Sequence, residues 1–480
     1  MVQPTSPFKV HASTPRGILA SSLVRMDATQ PSPPACTSLA EVDAAPRLPP
    51  TSKPWLDTHI LNAQNHSTDY AAVHGDGTKY ALHVSSGLEP FAAAELTELG
   101  VSDVVPLLGH IVLFSSSDTP AALQQRIRSA ESLSLVCWAS PPPTMPTTNS
   151  EWLSQLYSLL EEHVQPRADQ LEGAWRAAAL DDSSAADSSA DDASAGSPSG
   201  RSLRFRVSAT RAGGASSGVV TSQQIAAEVG AFFSERCGWV VDLHEYEVDV
   251  EVSWHDALVL VALPVARKLC VRPEVVHAAL HGPTAWALAR LVAPRAGEVV
   301  LDPMCGRGGC LIEAARECRG ATYLGADLDE AQLSDCAANL RSALRGTADA
   351  ADAADAADGA KGAAPVPCVA LLHADATRLP LPAASVDAIV VDMPFGKRHA
   401  NPKGLYAQVL AEAHRVLRPG HGRIAVLTTA RAAVWAAVKG EPGWQPISRA
   451  QVNLGGLMAW LHLLRRVATP VVERVHVHVV

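Results

Sequence analysis

Between residues 297 and 429 five short apolar runs recur, "GEVVLDPMCG", "TYLGADLD", "VALLHADA", "VDAIVVDMPF" and "GRIAVLTT", with helix-forming stretches between them. A continuous hydrophobic run, unlike an alternating one, suits a strand buried on both faces, and strands that alternate with helices assemble as a parallel sheet covered on both sides. The expected fold class is therefore α/β, with a Rossmann-like, mostly parallel sheet over residues 276–480. An acidic insertion, 346–364, carries an Asp-Ala-Ala repeat and is expected as a solvated helix-to-strand loop.

Open sheets of this kind bind ligands at the carboxyl ends of their strands. "LDPMCGRGG" turns from strand to helix there, and Gly306, Gly308 and Gly309 let the backbone approach a ligand while the first helical amides face its polar groups. The turn is neither the G-x-G-x-x-G of nicotinamide enzymes nor a phosphate loop, for which it lacks the Lys-Ser/Thr pair. The next strand ends at Asp327, 25 residues after Asp302, where an acid can accept hydrogen bonds from both hydroxyls of a ribose. The third ends at Asp375. A ribose-bearing ligand without a pyrophosphate fits this pattern, which favours S-adenosylmethionine over a dinucleotide.

The fourth strand ends in "DMPF". Pro394 forbids a continued ladder, and an exposed Phe395 wastes burial energy, so packing alone is a poor reason for the segment. Methyl transfer to an exocyclic amine supplies a better one. The Asp392 carboxylate and a backbone carbonyl of Met393 or Pro394 would hold the amine hydrogens and aim the nitrogen lone pair. Phe395 would stack on the base, a contact of roughly 1–3 kcal/mol. "GKRHANPK" follows, and its Lys397, Arg398 and Lys403 suit either phosphate contact or a plain basic loop. Arg204, Arg206 and Arg211 are further RNA-contact candidates, on a strand upstream. His476 and His478 alternate like ligands, yet read as surface residues of a tail strand. Transfer by direct displacement needs no metal.

Upstream, residues 1–70 are rich in Pro, Ser and Ala and are expected to form a disordered leader. Residues 71–148 read as a β-α-β-β-α-β unit of ferredoxin-like type. Residues 149–275 read as a second α+β module, interrupted by a disordered Ser/Asp tract at 181–200, with a hairpin around His255-Asp256. No apolar run reaches the roughly 18–20 residues of a membrane-spanning helix, so no membrane partner is expected. The net charge of −10 does not argue against RNA. Nine aspartates in the two acidic tracts, set against Lys361, supply most of it and leave the remainder near neutral. Nine scattered cysteines without a Cys-x-x-Cys pair fit a reducing compartment, the cytoplasm or nucleus. The first 26 residues hold Lys9, Arg16 and Arg25 but no acid, a composition compatible with an organellar transit peptide.

Taken together, "GLEPFAAAEL", "FRVSATRAG", "HGPTAWALARL", "LDPMCGRGG", "GADLD", "DMPFGKR" and "VNLGGLMAWLHLL" make the chain resemble the THUMP-domain RNA guanine-N2-methyltransferases, the group that includes THUMP-domain-containing proteins 2 and 3. The resemblance implies a ferredoxin-like unit and an RNA-gripping THUMP module, followed by a seven-stranded class I methyltransferase domain. It implies Asp392, Pro394 and Phe395 as catalytic residues. Asp302, Pro303, Cys305, Gly306 and Gly308 would hold the methionine part of S-adenosylmethionine, Asp327 and Leu328 its ribose, and Asp375 and Ala376 its adenine. Arg307 and Gly309 stand where relatives vary. The implied substrate is a structured RNA, a tRNA first. U6 small nuclear RNA is the alternative, because "LPLPAASVD" and "GADLDEAQL" lie closer to the protein 2 branch. A small zinc-containing activator subunit is implied as well. Two rivals remain at this point: an adenine-N6 DNA methyltransferase, since the same element serves any exocyclic amine, and a catalytically silent RNA-binding adaptor.

Overall fold

The computed structural model describes Val24–Arg25 and residues 78–468, apart from 102, 108–109, 142–147, 184–201, 212–219, 256–257, 267–268, 270–274, 359–366, 395–403 and 442. The leader apart from Val24–Arg25, most of the Ser/Asp tract, His476 and His478, and the candidate residues Phe395, Lys397, Arg398 and Lys403 lie outside the described residues. Among the described residues no helix is long and apolar enough to cross a membrane.

Val24–Arg25 forms a two-residue strand, β1. The following elements are β2 (Thr78–His83), α1 (Glu89–Glu98), β3 (Val105–Leu107), β4 (Ile111–Ser116), α2 (Pro120–Arg126) and β5 (Ser132–Ser140), the β-α-β-β-α-β order expected from sequence. Next come α3 (Asn149–His163), α4 (Ala168–Ser183), β6 (Arg204–Arg211), α5 (Ser222–Cys237), β7 (Val240–Val241), β8 (Val248–His255) and β9 (Leu258–Ala266). Thr221 caps α5 through a reciprocal box with Gln224, and Gly238 closes it in the left-handed conformation. The two upstream modules are not separate sheets. β5 pairs antiparallel with β9, giving one mixed sheet in the order β3-β4-β2-β5-β9-β8-β6-β7. β9 is buried at every position, so its apolar run marks a central strand, and a central strand must have a partner on each side.

The second half contains α6 (Gly282–Val292), β10 (Val299–Asp302), α7 (Gly309–Glu317), β11 (Thr322–Asp327), α8 (Glu330–Asp358) and β12 (Cys368–His373). It continues with β13 (Ala388–Asp392), α9 (Leu405–Val416), β14 (Arg423–Thr428), α10 (Arg431–Gly440), β15 (Trp444–Leu454) and β16 (Leu457–Arg466). The sheet runs β1-β12-β11-β10-β13-β14-β16-β15; β12 through β14 are parallel, while β16 runs antiparallel to both of its neighbours. The seven expected strands are thus joined at one edge by β1, which pairs with Leu371 and Ala370. The Asp-Ala-Ala repeat is not the loop expected of it, because α8 continues through it to Asp358. Alanine is the best helix former, and the repeat contains neither Gly nor Pro to stop a helix already running.

Apolar side chains cover both faces of this sheet. Val300, Val390, Leu427 and Leu461 pack with α6 and α7 on one side, and Leu301, Val391, Val426 and Leu464 pack with α9 and α10 on the other. Leu88 and Phe91 of the upstream half belong to the first of these cores. Gly87, at φ +92°, comes so close to β15 that an added Cβ would lie 1.9 Å from the Gln451 carbonyl oxygen, so no larger residue fits there. Arg290 bridges the halves, bonded to Glu98 at 2.6 Å and Glu317 at 2.8 Å, and Arg128 reaches the buried Glu313 at 2.6 Å.

Candidate active site

The strand order places the carboxyl ends of β12, β11, β10 and β13 side by side. Asp302, Asp327, Asp375 and Asp392 therefore line one lip of the sheet. Asp302 is 1% exposed, and its Oδ1 accepts the Met304 amide at 3.1 Å. Burial pushes its carboxyl well above the usual range, and the nearby charges of Asp392 and Asp327 push the same way.

Gly308 begins α7 at φ +84°, and a Cβ there would lie 2.7 Å from the Cys336 sulfur, so the turn requires glycine twice over. Pro303 and Cys305 are buried beneath the turn, and the Cys305 thiol is raised by its contact with Cys336 and by burial. Asp327 ties the turn to the next strand: Oδ2 accepts the Gly306 amide at 2.9 Å and Oδ1 accepts the Asp329 amide at 3.0 Å. Leu328, beside it, is 65% exposed. The His373 ring nitrogen bonds the Leu328 carbonyl at 2.9 Å. Asp375 sits two residues beyond β12. Its Oδ1 accepts both the amide and the hydroxyl of Thr377, at 2.8 and 2.7 Å, which holds its carboxyl below the ordinary range. Ala376 is buried behind it.

Asp392 differs from these three. Its Oδ1 is enclosed by protein yet has no hydrogen-bond partner among the described residues, and burial pushes its carboxyl up to about 7. Met393, which follows it, is buried and donates its amide to the Leu427 carbonyl at 3.0 Å. Pro394 is half-buried, and its carbonyl lies 3.4 Å from the Tyr406 hydroxyl. That hydroxyl also meets Thr428 Oγ at 2.8 Å.

Three residues in this framework were not anticipated from sequence. Asn339, fully buried in α8, accepts the His277 amide at 2.8 Å and donates to the carbonyls of His277 and Arg307 at 2.9 Å, clamping the segment before α6 over the glycine turn. A lone asparagine among apolar neighbours in "CAANL" was the available signal. Tyr406 and Thr428 had none beyond their places after Gly404 and at a strand end. Arg307, expected only as a point of variation, pairs with Asp335 at 2.9 Å.

Arg204, Arg206 and Arg211 lie on β6, in the other sheet. Arg204 bonds Glu245 at 3.1 Å. Arg206 donates twice to Asp249 Oδ2, at 2.9 and 2.6 Å, and stacks on Tyr246, and Arg211 donates to the Val220 carbonyl.

The residues present fit S-adenosylmethionine. A glycine turn opens a helix beside Asp302, acids follow at the next two strand ends, the exposed apolar side chain of Leu328 flanks the first of them, and a desolvated carboxylate stands one strand away. Fold and site together define a domain of the methyltransferase class, with residues suited to S-adenosylmethionine. Residues 270–459 match the family described as RMKL-like, methyltransferase domain. The chain is 37% identical over 226 residues to the U6 snRNA (guanine-N(2))-methyltransferase THUMPD2 of Bos taurus, an alignment that covers 47% of this chain and 40% of that protein. It is 30% identical over 273 residues to the tRNA (guanine(6)-N2)-methyltransferase of Thermus thermophilus, covering 55% of this chain and 72% of the relative. The solved structure of TrmN from Thermus thermophilus superposes with a TM-score of 0.57 at 24% identity, covering 81% of this chain and all of TrmN, a likeness of fold. The chain belongs to the RNA guanine-N2-methyltransferase family. It spans about half the length, or less, of the first curated relatives it matches.

Proposed function

We propose that this chain methylates the exocyclic N2 amine of a guanosine in a structured RNA, with tRNA as the substrate. The observation that carries this reading is Asp392: a desolvated carboxylate at the lip, directly before the Met393-Pro394 turn, with an oxygen that has no partner among the described residues. A buried acceptor left without a donor is costly, and an amine that brings two N–H groups relieves that cost. Once ionised, Asp392 accepts one amine hydrogen, and a carbonyl of the turn accepts the other. The nitrogen lone pair is thereby turned out of the base plane. When bound, S-adenosylmethionine would supply the electrophilic methyl group to this nitrogen and leave as S-adenosylhomocysteine, with the surplus amine proton passing to solvent. Asp327 and the Gly306–Gly308 turn position the donor, and Asp375 reads its adenine end. Phe395, which follows Pro394 in the chain, is assigned the stacking role. The upstream sheet is read as the ferredoxin-like and THUMP modules that grip the RNA.

A U6 small nuclear RNA is the second reading, favoured by the 37% identity to the bovine enzyme named for that substrate. Incubating the full chain with S-adenosylmethionine and either unmodified tRNA or a U6 transcript, then digesting to nucleosides for mass spectrometry, separates the two. N2-methylguanosine is expected in the tRNA. Its appearance only in the transcript selects the second reading, and its absence from both defeats the proposal.

A further inference from the structure

The lip does not end at Asp392. In register, Asp392 pairs with Leu427 and Leu427 pairs with Leu461, so β16 continues the same edge two strands further on, roughly 10 Å away at the usual strand spacing. Trp460 stands there, opposite Thr428 and only half-buried. The Arg431 guanidinium, at the start of α10, lies over its ring at 4.7 Å from the centroid. Neither Arg431 nor Arg449, an exposed residue of β15, has an acidic partner among the described residues. Between them lies His462, which pairs with Arg449 across the strands. His462 is 2% exposed, and its Nε2 has no partner among the described residues. Burial lowers this histidine to about 4, and the two arginines push it further the same way, so it is neutral and adds no charge of its own.

Two guanidinium groups without counter-charges among the described residues, beside an aromatic face, are poorly explained by stability. An exposed cation over a ring contributes only about 0.5–1 kcal/mol, and an uncompensated pair of cations costs part of that. They are well explained by a ligand that brings both an anion and a flat ring. A continuous path also links them to the catalytic turn. The Pro394 carbonyl meets Tyr406, Tyr406 meets Thr428, and Thr428 Oγ accepts the Ala430 amide at 2.8 Å, one residue before Arg431.

We infer that Trp460, Arg431 and Arg449 form a second nucleotide subsite, which stacks the base flanking the target guanosine and neutralises its phosphate. The inference rests on the reading that the lip receives an RNA guanosine. Its function is to hold the strand splayed, since a base can meet Asp392 only when it is drawn out of its neighbours' stack.

The test uses the full chain and two readouts. Anisotropy of a fluorescein-labelled 12-nucleotide single-stranded RNA reports binding whether or not that RNA is methylated. Tritium transfer to unfractionated tRNA reports KM and kcat. Trp460→Ala is expected to raise the RNA Kd and the KM by roughly five- to a hundred-fold, the range for one stacked base. It should leave the affinity for S-adenosylmethionine, measured by calorimetry, within twofold. Trp460→Phe should restore most of the loss. Arg449→Ala, on an exposed edge, should lower the salt slope of binding by about 0.7, one single-strand phosphate. RNA affinity and salt slope at parental values in both alanine variants would overturn the subsite and leave this surface to a protein partner. So would a Trp460→Ala loss matched by an equal loss of S-adenosylmethionine affinity, because that marks a folding defect. If the parent transfers no methyl group to tRNA but the variants still lose the RNA probe, the subsite stands and the methylation reading falls.

Discussion

The two halves of the sheet's lip are built on opposite terms. On the donor side, β10 to β12, the acids are occupied by the chain itself: Asp302 holds Met304, Asp327 holds Gly306 and Asp329, and Asp375 holds Thr377. On the acceptor side, β13 to β16, Asp392 has an unpartnered oxygen, and Arg431 and Arg449 lack counter-charges among the described residues. The difference teaches which half is organised before any ligand arrives. Hydrogen bonds within the chain fix the β10–β12 side at no cost during binding, while the β13–β16 side keeps an electrostatic demand that the described residues leave unmet and that the proposed substrate would satisfy.

Asp392→Asn tests the contrast most severely. The variant keeps the size of the side chain but loses the charge that draws the amine, and its own N–H groups oppose those of the base. Methyl transfer should fall by about 10²–10⁴-fold, the range for losing a positioned acid–base or electrostatic group, with S-adenosylmethionine affinity unchanged. The titration carries a sign that can be checked independently. The folded carboxyl is raised to about 7 by burial, so the folded state keeps a proton that the unfolded chain releases near its ordinary value. Stability due to this group is present at low pH and lost as pH rises through about 7. kcat/KM of the parent should therefore rise with pH across the same window, while the asparagine variant loses that rise and melts higher than the parent at pH 8 but not at pH 4. Equal melting temperatures at both pH values would show that Asp392 is not desolvated.

Asp327→Ala probes the other half and should give the complementary result. The alanine removes charge-assisted bonds of about 1.5–3 kcal/mol, so S-adenosylmethionine affinity should fall roughly 10- to 100-fold by calorimetry, with RNA affinity retained. If RNA binding fell in parallel, the two halves would not be independent.

Legibility followed the same division. The acids at strand ends could be read directly, because a buried parallel strand is a continuous apolar run and the residue that ends it must lie at the lip. The glycine turn was legible for a similar reason: Gly308 occupies a backbone conformation that few other residues adopt. What escaped was every feature made by residues distant in sequence. The pairing of β5 with β9, which merges two apparent modules, depends on edges that no local pattern specifies. Asn339 clamps a segment far upstream, and Trp460 is an ordinary strand residue until the fold brings Arg431 over it. The helix through the acidic repeat was hard to read because its aspartates signal a solvated loop while its alanines favour a helix already running.

The smallest expected effect falls at the seam between the halves. The Tyr406 hydroxyl touches both the Pro394 carbonyl and Thr428, and nothing on the donor side. Tyr406→Phe removes both contacts, of which the shorter, to Thr428, is a neutral hydrogen bond worth about 0.5–1.5 kcal/mol, and should lower kcat about 2- to 10-fold. Thr428→Val should cost more, because its Oγ also accepts the Ala430 amide, and the double variant should be little worse than Thr428→Val alone, since the Tyr406–Thr428 contact is lost only once. Affinity for S-adenosylmethionine is the discriminating readout. If it stays constant while kcat falls, the hydroxyl positions the catalytic turn. If it falls by the same factor, Tyr406 acts through the whole sheet edge, and the division of the lip into a finished half and a waiting half is wrong at its boundary.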